Sequence, residues 1–151
     1  MAHVQGENII NRPVEDVFDF VADERNEPRY NRAMNRSELI TEGPIGVGSR
    51  FHAVMSMRGR PADVTVEFTA YERPRFLASA SHLSNMEIQG SLTFDPVPEG
   101  TRMRWSWELQ PSGILKVLTP LIAYMGRRQD RAIWTGLKHI LESQKMSAVQ
   151  T

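Results

Sequence analysis

The hydrophobic period of this chain changes along its length, and the places where it changes leave few folds open. Between residues 37 and 109 apolar side chains recur at every second position, and from about 113 to 143 at every third or fourth. Strict alternation marks a half-buried strand, and the wider spacing marks an amphipathic helix. Six alternating runs, SELIT, RFHAVMSM, ADVTVEFTAY, RFLASASHL, MEIQGSLTF and TRMRWSWEL, are separated by turn-forming segments such as DPVPEG. Ahead of them, a strand over 3–10 gives way to a helix whose Val14, Val17, Phe18 and Val21 share one face. Asn11 is its expected N-cap and Pro13 lies in its first turn. Pro28 disfavours helix at Glu27, so a second short helix is expected over 28–33. The resulting class is α+β: one strand, two small helices, six more strands and a long C-terminal helix.

Alternation also assigns faces. Phe51, Ala53, Met55 and Met57 oppose His52, Val54 and Ser56; Val64, Val66 and Phe68 oppose Thr65, Glu67 and Thr69. Met103, Trp105, Trp107 and Leu109 oppose Arg102, Arg104, Ser106 and Glu108. An antiparallel sheet with one solvated side shows this contrast. In RFLASASHL the more apolar alternate, Phe76, Ala78 and Ala80, takes His82 to the inner face with it. On the long helix, Leu118, Ile122, Met125, Ile133, Leu137 and Ile140 mark the expected buried stripe, which Pro120 kinks or restarts.

The segment EGPIGVGSRF holds Gly43, Gly46 and Gly48, spaced G-x-x-G-x-G. Phosphate-binding glycine loops open directly into a helix N-terminus, whose free amides hold the anion. Here a strand follows and the lysine of a P-loop is missing, so the loop is a hairpin turn.

A strand, then I-x-R-P-V-E-D-V-F-D-F-V-A-D (10–23), then G-P-I-G-V-G-S-R-F resembles the polyketide cyclase/dehydrase-like branch of the START-like superfamily. Y-E-R-P-R-F-L (71–77) and G-L-K-H-I-L-E (136–142) resemble it too, so the likeness runs in order along nearly the whole chain. It implies a helix-grip fold, in which a curved seven-stranded antiparallel sheet wraps the C-terminal helix around a cavity. It also places the glycine loop at the cavity mouth. It implies no single chemistry, because members include cyclases, carriers of lipids and hormones, and quinone-binding proteins. The expected domain is 1–146, with 147–151 as a disordered tail.

Candidate ligand contacts are Tyr30, Phe51, Met55, Met57, Val66, Phe68, His82, Trp105, Trp107, Ile122, Met125 and Gln129. Methionines and tryptophans make such a wall adaptable, and a few polar groups orient a ligand within it. The apolar ones fit a plainly packed core as well, while His82 also fits a strand-end cap, Tyr30 a cover over the core rim and Gln129 a solvated position. Tyr30 and His82 are the candidate proton-transfer groups, because Asp63, Glu67, Arg104 and Glu108 alternate onto the solvent face. His3, His52, His82 and His139 fall on separate elements, so no metal site is expected, and no cofactor motif is present.

Composition narrows the classes further. Without cysteine, disulfides, zinc-thiolate sites and thiol nucleophiles are excluded. Eighteen basic residues balance eighteen acidic ones, which gives no footprint for nucleic acid. The start MAHVQGENII has neither the basic nor the apolar part of a signal peptide, and ILKVLTPLIAYM is too short to span a bilayer. A cytoplasmic protein without stable membrane insertion is expected, and its oligomeric state is open. Arg25, Arg29, Arg32 and Arg36 would form one basic stripe for a protein partner if their helix were continuous, and Pro28 argues against that continuity. Arg128 flanks the apolar stripe of the long helix. Three readings follow: a carrier or sensor of a lipid, isoprenoid or polyketide-like aromatic; a cyclase, aromatase or dehydratase using the same cavity; and an interaction module with a filled core.

Overall fold

In the computed structural model, residues 2–57 and 59–150 are described, the side chains of 114 and 145–150 excepted. Strand β1 (Ala2–Ile10) leads into helix α1 (Val14–Ala22) and a 3-10 helix (Glu24–Arg29). Six strands follow: β2 (Met34–Leu39), β3 (Arg50–Met57), β4 (Arg60–Glu72), β5 (Phe76–His82), β6 (Met86–Val97) and β7 (Gly100–Pro111). A 3-10 helix (Gly113–Leu118) then meets the long helix α2 (Thr119–Gln150). The tail expected over 147–151 falls where the side chains, and at 151 the whole residue, lie outside the described set.

The seven strands form one sheet in the order β1-β7-β6-β5-β4-β3-β2, with every pair antiparallel. Consecutive hairpins build it from β2 to β7, and β1 closes the edge beside β7. The two small helices carry the chain from one edge to the other.

Two local expectations are corrected. Asn11 is not the N-cap of α1: the cap is Pro13, without a side-chain hydrogen bond. The second helix starts at Glu24, ahead of Pro28, because Asp23 caps it by accepting from the Arg25 amide at 3.1 Å. In the β2–β3 hairpin the positive dihedrals belong to Gly43 (φ 88°) and Gly48 (φ 89°), not to Gly46. The Gly46 amide instead donates to Ser49 Oγ at 2.9 Å and folds the turn on itself. Pro120 falls at the start of α2, where a missing amide costs no helical bond.

The outer face of the sheet is a lattice of surface ion pairs, among them Arg50–Glu67, His52–Asp63 and Arg104–Asp95. Such exposed pairs stabilise by little. The inner face is apolar and divides into two clusters. The larger joins Phe18, Phe51, Phe68, Phe94, Met103, Trp134, Leu137 and Leu141, beneath α1 and the C-terminal part of α2. The smaller joins Ala2, Val4 and Leu109, with Ile122 and Ala123 of α2 against it. Asn8 Nδ2 donates to the Trp134 carbonyl at 3.0 Å and ties α2 to β1 between them.

Candidate functional site

A cavity of about 210 Å³ lies between the inner face of the sheet and α2, where the two apolar clusters meet. Its sheet wall is Val4, Met55, Phe68, Leu77, Ser79, Met86, Ile88, Leu92, Trp107 and Leu109. The helix wall is Gly126, Gln129, Asp130, Ile133 and Trp134, and the end is closed by Glu24, Glu27 and Asn31. At Gly126 the helix stands close to β1 and β7: a Cβ there would make ordinary contacts, 3.4 Å from Val4 and 3.5 Å from Leu109.

Of the residues expected to meet a ligand, Met55, Phe68, Trp107 and Gln129 line this cavity. Phe51, Val66 and Trp105 are buried but stand behind the wall, Phe51 against Phe68 and Trp105 against Trp134. Ile122 packs on the smaller cluster without being part of the lining. Tyr30 is buried between Phe20 and Trp134 and reaches the site only through the latter. The glycine loop contributes no lining residue.

Two face assignments and the burial of one strand end are corrected. Met57 lies at the end of β3 and is exposed. Met125 is 58% exposed, because the stripe of α2 that meets the sheet runs through Gly126, Asp130, Trp134, Leu137 and Leu141. His82 lies on the outer face, with Nδ1 3.3 Å from Glu87 Oε1. Its strand is turned over relative to the expectation: Ser79 pairs with Phe68 and Leu77 with Leu92, and directly opposed residues share a face. A register shift between Phe68 and Ala70 lets β4 keep both Phe68 and Tyr71 against the core. The serines are therefore inward and the small apolar residues outward.

The carboxylates of the site were not among the sequence candidates. Burial pushes Glu27 up to about 7, with Asp130 adding to the rise and the Asn31 hydrogen bond, 3.3 Å from Nδ2 to Oε2, opposing it. Burial likewise raises Asp130 to about 7. Glu24 is held well above its ordinary range by burial, then by Glu27 and Asp23. Asp23 itself is lowered by the Arg25 guanidinium that donates to it at 2.8 Å. Among the described residues Glu24, Glu27 and Asp130 have no ion-pair partner. A signal for Asp130 did exist: it stands four residues from Gly126 and from Trp134, on the stripe that meets the sheet.

Such a site can hold an apolar body along the strands and offer carboxyl groups at one end. The sequence matches the family model for polyketide cyclase / dehydrase and lipid transport over residues 1–142. The chain belongs to that family. Family membership and fold together support binding of hydrophobic ligands in general. The fold is similar to TTHA0849 from Thermus thermophilus (TM-score 0.80, 17% identity, 94% of this chain and 98% of that one). It is similar also to a START superfamily protein from Mycobacterium smegmatis (TM-score 0.83, 10% identity, 95% and 99%). No curated protein matches the sequence. This family member has no helix among its described residues that is long and apolar enough to cross a membrane.

The four arginines of the supposed stripe do not share one helix: Arg25 and Arg29 lie on the 3-10 helix, Arg32 follows it and Arg36 is in β2. Arg25 is held by Asp23, Arg29 stacks 5.2 Å over the Phe20 ring and Arg32 lines an outer cleft.

Proposed function

We propose that the protein carries or senses a small apolar molecule held in the cavity between the sheet and α2. The observation behind this reading is the split core: side chains of both clusters face a space of about 210 Å³ instead of each other. Packed interiors rarely leave voids larger than a water molecule, so a space of this size with a mostly apolar wall suits a ligand. A lipid fragment, an isoprenoid or a compact aromatic fits the lining chemistry. Native mass spectrometry after gentle purification tests it: a retained apolar molecule is expected. No retained mass, together with no response of tryptophan emission to aliphatic or aromatic probes, would overturn it.

One observation favours a second reading, a cyclase or dehydratase activity. Two carboxyls poised near 7 in a shielded site suit general acid–base catalysis, which works best when the catalytic pKa is close to ambient pH. Glu27 and Asp130 take the place of His82 and Tyr30 in that reading. Conversion of the retained molecule by the native protein but not by E27Q or D130N would establish it, and recovery of the molecule unchanged would remove it.

A further inference from the structure

The acidic end of the cavity is unlike the rest of its wall. Glu24 and Glu27 come from the 3-10 helix and Asp130 from α2, so separate elements bring three carboxyls to one apolar space. All three are part-buried, and a partly desolvated carboxylate is costly unless a positive or donating group meets it. Among the described residues the one side chain that donates to any of the three is Asn31. No group of three acidic or histidine side chains there is arranged to hold a metal ion.

Beside these carboxyls stand two aromatic rings, Trp134 in the cavity wall and Tyr30 behind it. Tyr30 is 6% exposed and its hydroxyl has no hydrogen-bond partner. Its ring stands beside Trp134, 6.1 Å between centroids, and lines the neighbouring cleft rather than the cavity. Trp134 is 5% exposed and lines the cavity, and its Nε1 is likewise unpartnered. Aromatic faces beside carboxylates attract organic cations through both the ring quadrupole and the charge.

We propose that this end is a binding site for a protonated amine, so that the cavity takes an amphipathic amine with its ammonium among Glu24, Glu27 and Asp130. The inference rests on the cavity being a ligand site. The apolar body lies along Ile88, Leu92 and Trp107, and the ammonium donates to carboxylates that are otherwise short of donors. Binding draws these carboxyls into the ionised form, so protons leave as the amine enters. The titratable groups facing the head are Glu24 and Glu27 from the 3-10 helix and Asp130 from α2, while Asp23 is paired with Arg25. The sheet residues in the lining carry no titratable group. Arg32, Arg128 and Arg131 line a separate outer cleft that shares Asn31, Gln129 and Ile133 with the cavity.

Calorimetry on the full chain with octylamine, 1-octanol and octanoate tests this. At about pH 8 octylamine is expected to bind at least about tenfold tighter than octanol, with octanoate weakest. Near pH 7 its binding heat is expected to vary with the ionisation enthalpy of the buffer, as proton release requires, while that of octanol does not. The preference shrinks at about pH 5.5, where Glu27 and Asp130 are protonated, and the octylamine-to-octanol ratio falls towards one in the E27Q/D130N variant. Equal affinity for octylamine and octanol in the native protein overturns the amine site and leaves the cavity reading intact. Tighter binding of octanoate overturns it in favour of the arginine cleft. Failure of all three probes removes the cavity reading itself.

Discussion

Gly136 of α2 sits beneath the backbone of Tyr30, so close that a Cβ on it would lie 2.9 Å from the Tyr30 carbonyl oxygen. The long helix is thereby docked on the segment that supplies Glu24 and Glu27. Replacing Gly136 by alanine gains about 1 kcal/mol of helix propensity but forces main chain against main chain, which costs about 1–3 kcal/mol. G136A is expected to be destabilised, whereas G126A, with ordinary 3.4 Å contacts, should be neutral or more stable. Denaturant unfolding of the two variants checks the contrast, and equal stabilisation of both would refute it.

Acidity should stabilise the fold through the cavity carboxyls. Unfolded, Glu27 and Asp130 titrate near 4; folded, both titrate near 7. Between those values the folded state holds more protons, so their contribution to stability falls as pH rises from about 4 to about 7 and then levels off. D130N removes the part due to Asp130. At about pH 8 the variant should be more stable than the native chain, by on the order of 1–3 kcal/mol. Near pH 4 the difference should vanish, and urea unfolding at both pH values decides it.

The cavity can be filled from one side and not from the other. Ser79→Leu enlarges a lining side chain, so octanol affinity should drop at least about tenfold by calorimetry. Met125→Trp changes a side chain that is 58% exposed and points away from the space. It should leave octanol affinity as it was, and stability within about 0.5 kcal/mol. A loss of binding in Met125→Trp would place the site elsewhere.

His82 offers a sharper negative. Its imidazole is 55% exposed and its neighbour is Glu87 on the outer face. His82→Ala should shift stability by less than about 0.5 kcal/mol and leave both binding and any turnover unchanged. A drop in either would show that the outer face takes part.

Much of the fold was legible in the chain because it depends on local periods. The alternation in β3, β4 and β7 and the 3-4 spacing of α1 each repeat a single rule many times, so one exception does little harm. The site was legible where it reused those strands, as at Met55, Phe68 and Trp107. It was not legible in β5, where both alternates are small or mildly polar and hydrophobicity alone chose the wrong one. Nor was it in α2, where Met125 and Gly126 are neighbours and the more apolar residue points outward. Asp130 was hidden for a related reason: a carboxylate reads as solvent-facing unless the docking partner of its helix is known.

By itself the sequence determined which elements form and in what order, because period, caps and turn residues act over a few positions. The two rows of Phe51–Ala53–Met55 and Met103–Trp105–Trp107 had to face one side of whatever sheet they joined. Tertiary structure decided what that side meets. Pairing register turned the face of β5, and α2 docks closely on the Tyr30 backbone at Gly136. Packing the 3-10 helix against α2 then brought Glu24 and Glu27 to Asp130. Those three carboxyls read as ordinary surface residues in the chain; desolvation is the largest cause of their raised proton affinity, and desolvation is a property of the assembled fold.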